Sequence, residues 1–223
     1  MPTTRETKQS LTPRRSLQLV LLIGVLALLG LLVATIVSSR PDTAAAEAQV
    51  VREDSHVLNQ APDEKAVLVE FLDFECEVCR AYYPTVEQLR DEHADDLTLV
   101  LRYFPIPGHT NSTNAAVAVE AAAAQGQIEP MYQRMYETQA EWGEAQESKA
   151  DVFRGFAQEL GLDMEAFDTA VADPATSERV QADFDEGRAL GVQGTPTFFL
   201  DGERLQVESP ADLTEAVQGA VGD

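Results

Sequence analysis

The chain's two cysteines, Cys76 and Cys79, are separated by two residues and stand just behind the apolar run Ala66-Val67-Leu68-Val69-Glu70-Phe71-Leu72. That run is short, apolar and rich in β-branched residues, as a buried strand is. The residues after the first cysteine read as a helix through Arg90, with Pro84 inside it predicting a kink. The first turn of a helix has unpaired N–H groups and a partial positive charge. A thiolate at Cys76 is therefore easier to form than on a free cysteine. Cys79, one turn on, faces the same side and can close a disulfide with it. Cys76 reads as the nucleophile and Cys79 as the resolving thiol, exchanging through a mixed disulfide. Zinc binding and inert burial are the alternatives. A structural zinc needs four ligands, and His56, His93 and His109 show no pair spacing. With no third cysteine, the pair is not a staple for a small scaffold.

A second feature is the run Leu17 to Val37, uncharged and interrupted only by Gln18 and Thr35. Its helical length would be roughly 30 Å, the thickness of a bilayer core. The basic residues before it favour a cytoplasmic N-terminus. We therefore expect a cytoplasmic tail over 1–16, a transmembrane signal anchor over 17–37, an extracytoplasmic linker over 38–62 and a folded domain over 63–223. A cleaved signal peptide, cut near Thr43-Ala44-Ala45-Ala46, is the main alternative. A buried core helix is another, against which its apolarity on all faces speaks. Arg14-Arg15 could belong to a twin-arginine signal or to ordinary positive-inside charge. After Arg40 come 11 basic and 37 acidic residues, a net −26. A surface that acidic repels phosphate backbones, so no nucleic-acid partner is expected.

Within the domain, Leu97 to Phe104 reads as a second strand, making a βαβ unit with parallel pairing. From about 108 to 190 the pattern turns helical. Ala115 to Ala124 has high helix propensity, and Pro130 sits where a helix could start. Val152-Phe153-Phe156-Leu160 forms an amphipathic stripe ending at Gly161, and Asp163 can cap Met164 to Val171. Pro174 can open a helix to Leu190-Gly191. Thr197 to Leu200, Asp201-Gly202 and Glu203 to Val207 read as strand, turn and strand. Ser209-Pro210 starts a last helix through about Val217. The fold class is α/β.

The stretch Val67 to Pro84, VLVEFLDFECEVCRAYYP, resembles the active-site segment of the thioredoxin superfamily, and Gly194-Thr195-Pro196-Thr197 resembles its second hallmark. The long helical insertion between them is similar to the DsbA-like branch, especially its membrane-anchored relatives of Gram-positive type. The resemblance covers about residues 56–223. It implies a thioredoxin-like fold with a helical insertion and a cis bond between Thr195 and Pro196 beside the cysteines. It makes Cys76 the exposed nucleophile and Cys79 its buried partner. Thr195 and Pro196 would shape a substrate face, joined by Glu77 and Val78, and no metal is implied. Glu70 matches an acid that moves protons for the resolving cysteine. On chemical grounds too, a carboxyl in an apolar strand should have a raised pKa and could shuttle protons, unless it faces solvent at a strand edge.

The dipeptide between the cysteines departs from the Pro-His of the best-known DsbA. Here it is Glu-Val, and Glu75 and Glu77 flank Cys76. Each carboxylate would cost a thiolate about 6 Å away on the order of 1 kcal/mol. A weaker oxidant than DsbA is therefore expected. His109 and Trp142 are read as structural residues, with a place on the groove as the alternative. The expected function is thiol–disulfide oxidoreduction outside the cytoplasm, oxidising cysteine pairs in exported proteins. No cofactor is expected beyond the Cys76–Cys79 disulfide, and the resemblance implies reoxidation by a quinone-linked membrane partner. A reductase or isomerase on the same fold, and a non-catalytic substrate-binding adaptor, are the alternatives.

Overall fold

The computed structural model describes residues 48–222. The tail 1–16, the expected membrane span 17–37 and residues 38–47 of the expected linker lie outside the described residues. Among the described residues, no helix is long and apolar enough to cross a membrane.

Five strands form one mixed sheet: β1 (His56–Asn59), β2 (Ala66–Leu72), β3 (Leu97–Tyr103), β4 (Thr197–Leu200) and β5 (Glu203–Arg204), in the order β1-β3-β2-β4-β5. β2 is central, parallel to β3 and antiparallel to β4. Helix α1 (Glu77–Glu92) crosses between β2 and β3. Its buried residues Cys79, Tyr82, Val86 and Leu89 fall at helical spacing and make one stripe. With Leu213, Val217 and Val221 of the last helix, α7 (Pro210–Val221), Tyr82, Val86 and Leu89 pack on Leu68, Leu99 and Phe198.

Four helices of the insertion, α2 (Ser112–Ala123), α3 (Ile128–Trp142), α4 (Ala150–Glu159) and α5 (Met164–Ala172), gather a second core. Phe74, Tyr103, Tyr132, Tyr136, Trp142 and Phe153 lie within it. Fully burying one such aromatic contributes about 1.5–3 kcal/mol. Helix α6 (Pro174–Ala189) covers the opposite sheet face, where Phe184 meets Phe71 and Phe104. Gly187 lets it sit close: a Cβ there would lie 2.9 Å from ring atoms of both Phe71 and Phe104.

Both expected caps form, and Asp173 supplies a third. Asp163 accepts from the N–H groups of Glu165 and Ala166, Asp173 caps α6 ahead of Pro174, and Ser209 with Asp212 builds a capping box. Gly161 closes the turn after α4 at φ +78, and Asp201-Gly202 turns with both φ positive. Some bounds differ from the sequence reading. β5 stops at Arg204, α3 starts two residues before Pro130, and α7 runs on to Val221.

The larger difference is at the start of the domain. β1 lies inside the stretch expected as a linker and pairs antiparallel with β3, with a bulge between Val57 and Asn59. A four-residue edge strand with polar ends has too little alternation to register as a pattern. Further upstream, the carbonyls of Gln49 and Val50 accept from the Arg102 guanidinium at 3.0 and 2.9 Å. Arg102 is fully buried and also pairs with Asp183 (2.7 Å) and Glu186 (2.5 Å) of α6.

Candidate active site

The central strand delivers the site. β2 ends at Leu72, the chain turns through Asp73, Phe74 and Glu75, and Cys76 is the N-cap of α1 with an extended backbone. Five hydrogen bonds hold that turn. Asp73 Oδ1 accepts from the Glu75 N–H at 2.9 Å, and Asp73 Oδ2 accepts from the Ile106 N–H at 3.0 Å. The Glu75 carboxylate accepts from the Asn111 N–H at 2.6 Å. From α3, the Gln139 side-chain amide donates to the carbonyls of Phe74 (2.7 Å) and Cys76 (2.8 Å).

The β2–β4 pairing sets Phe71 opposite Thr197, and so brings Thr195 and Pro196 to the end of β2. The Thr195–Pro196 bond is cis. The Cys76 thiol donates to the Thr195 carbonyl oxygen at 3.4 Å. The pair expected from the two distant motifs is thus one site.

Both cysteines are free thiols in this structure. A hydrogen bond from the Cys79 thiol brings Cys76 down from 9.0 to about 6, against the opposing effect of burial. The Thr195 side chain and the backbone N–H groups of Val78 and Cys79 add to the lowering. Cys79 is fully enclosed, and burial pushes it well above the usual thiol range, helped by its bond to Cys76 and the charge of Glu70. The two sulfurs are therefore differentiated: one ionises readily, the other stays protonated.

Glu70 is 3% exposed, in the middle of β2 between Leu101 and Phe198. It does not face solvent at an edge. Burial lifts its pKa from 4.5 to about 8, with smaller contributions from the charges of Cys76 and Glu87. A carboxyl near that value takes up and gives off protons at neutral pH.

Val78 is 51% exposed beside the cysteines. The Glu77 carboxyl hydrogen-bonds to that of Glu144, which holds Glu144 above the ordinary carboxylate range. Glu75 turns inward to Asn111, Glu77 turns to Glu144, and sulfur and backbone donors dominate at Cys76. Trp142 is core, its ring 4.7 Å from that of Phe153. His109 lines a hollow of about 150 Å³ with Glu75, Glu77, Gly108, Thr110, Glu144 and Gln146. Among the described residues, no group of three or more His, Cys, Asp or Glu side chains could hold a metal ion. Asp73, Asn111 and Gln139 escaped the sequence reading. Single polar residues carry no spacing signal, and only the fold brings Asn111 and Gln139 to the turn that Asp73 begins.

A family model described as thioredoxin matches residues 59–219. Over 155 residues the chain is 37% identical to the Na(+)/H(+) antiporter NhaA of Herminiimonas arsenicoxydans, covering 70% of this chain and 24% of that protein. The chain thus spans about a quarter of the length of that relative. Among solved structures, a thioredoxin-like oxidoreductase from Silicibacter pomeroyi superposes with a TM-score of 0.63 at 26% identity, covering 78% of this chain and 96% of that one. The alpha-DsbA1 of Wolbachia pipientis superposes at 0.65 with 15% identity, covering 80% and 96%, and speaks for the fold.

Proposed function

The chain belongs to the thioredoxin family, whose model spans residues 59–219, and from that membership we propose that it is a DsbA-like thiol–disulfide oxidoreductase using Cys76 and Cys79. One observation carries the reading: an acidified thiol at a helix N-terminus, 3.4 Å from the Thr195 carbonyl, above a buried second thiol.

In the oxidising direction, a substrate thiolate attacks Cys76 of the Cys76–Cys79 disulfide. Cys79 leaves as a thiolate and takes a proton from Glu70. A second substrate thiolate then attacks the substrate sulfur of the mixed disulfide, and Cys76 leaves as a stabilised thiolate. Two substrate thiols lose two electrons and two protons, and the enzyme's disulfide becomes a dithiol. A quinone-linked membrane partner would take those electrons onward. The substrates are cysteine-containing exported proteins. The backbone of Thr195 beside Pro196 can pair with an extended substrate segment, and exposed Val78 and Glu77 flank it. The apolar run 17–37 supports a single-pass anchor with the N-terminus cytoplasmic and the domain outside.

The test uses the purified full chain in two assays, oxidative refolding of a reduced disulfide protein and reduction of insulin. Oxidation without reduction is expected, and Cys76→Ser should abolish it. The opposite pattern would assign a reductase or isomerase. Intact cellular phenotypes in Cys76→Ser would instead point to a substrate-binding adaptor.

A further inference from the structure

We infer that His109 is a positioning residue for the Cys76 thiolate, an imidazolium fixed by Asp73 that supplies beside the reactive sulfur the positive charge missing from the Glu-Val dipeptide. This rests on the exchange chemistry proposed above for Cys76 and Cys79.

His109 lies in the loop between β3 and α2, far from the cysteines in sequence. Its Nδ1 is 2.6 Å from Asp73 Oδ2. Asp73 is buried, and its carbonyl accepts the Cys76 N–H at 3.2 Å. One residue thus ties the ring to the turn that presents the cysteine. The ring is about one-third exposed and borders the hollow formed by residues on both sides of Cys76. The titratable groups that face it are Asp73, Glu75, Cys76 and Glu77 from the β2–α1 turn, and Glu144 from the loop after α3. All favour a cation there. Burial alone would lower the His109 pKa, but the hydrogen bond and charge of Asp73, with the charges of Cys76 and Glu75, hold it above the usual histidine range.

Charge coupling is reciprocal, so the imidazolium stabilises the Cys76 thiolate in turn. The sulfur carries that charge both when it attacks a disulfide and when it leaves a mixed disulfide. The hydrogen bonds from Cys79 and Thr195 outrank this effect at Cys76, so a change of about threefold is expected.

The experiment compares the full chain with His109→Gln, which keeps a donor for Asp73 without charge, and His109→Lys, which keeps the charge. Two quantities are read: the pH midpoint of Cys76 alkylation and the equilibrium constant with reduced and oxidised glutathione. His109→Gln should raise the midpoint and make the disulfide about threefold less oxidising, with unchanged thermal unfolding of the oxidised form. His109→Lys should restore both. If His109→Gln leaves both values in place while the parent protein cycles normally, or if His109→Lys behaves like His109→Gln, the inference is overturned. Should His109→Gln fail to fold, the alkylation profile of the parent protein decides. A second, imidazole inflection supports the assignment and a single ionisation defeats it. A parent protein that does not cycle between dithiol and disulfide would overturn the oxidoreductase reading itself, and this inference with it.

Discussion

The side-chain amide of Gln139 donates to the Cys76 carbonyl at 2.8 Å and to the Phe74 carbonyl at 2.7 Å. A helix of the insertion therefore fixes the backbone that carries the reactive sulfur. Gln139→Leu keeps the volume and removes both donors. Leaving buried carbonyls unpaired costs about 1–3 kcal/mol. We expect a loss of that size in denaturant unfolding, with slower exchange at Cys76. Unchanged stability would show that the two bonds contribute little.

The Cys76 thiol should titrate at about 6. At pH 7 about nine-tenths of it is then thiolate, and below its midpoint the alkylation rate should fall about tenfold per pH unit. Cys79 should stay unreactive. The folded pKa lies below the unfolded value of 9.0, so the group stabilises the dithiol form fully above 9.0. That stabilisation is lost as pH falls through about 6. Unfolding of the dithiol and disulfide forms, compared across pH, would expose this difference.

Glu70 should work in the opposite sense. Its folded pKa is raised from 4.5 to about 8, so its contribution is fully present below 4.5 and is lost as pH rises through about 8. Glu70→Gln should flatten that decline and be the more stable protein in alkaline buffer. It should also slow the reaction in which Cys79 takes or gives a proton, with little effect on Cys76 alkylation. A parallel pH profile in the variant would remove Glu70 from the proton path.

Gly187 offers a test of packing against propensity. Alanine is favoured over glycine in a helix by about 1 kcal/mol. The new Cβ would meet Phe71 and Phe104 at 2.9 Å, and such overpacking costs about 1–3 kcal/mol. Gly187→Ala should therefore lower the melting temperature. A rise would mean that α6 can move away from the sheet at little cost.

What could be read from the sequence was whatever declares itself over a short span. The apolar run of β2, the Cys-x-x-Cys behind it, the Thr195-Pro196 hallmark and the caps at Asp163 and Ser209 all lie where they were expected. The burial of Glu70 followed from its apolar neighbours. The rest depends on direction or distance. The carboxylates of Glu75 and Glu77 adjoin Cys76 in the chain but point to Asn111 and Glu144. Val152 was assigned to an apolar stripe and is 37% exposed. Gln139 and Asn111 reach the turn only through tertiary contacts, as Asp73 reaches Ile106 and His109 and Arg102 reaches Asp183 and Glu186.

The grip of Arg102 on the carbonyls of Gln49 and Val50 decides where this domain can be trimmed. A fragment starting at residue 63, the boundary suggested by composition, would discard an edge strand and two of the acceptors around a wholly enclosed guanidinium. Such a cation stripped of acceptors is strongly destabilising. A stable fragment of the domain must therefore keep Gln49 as well as β1.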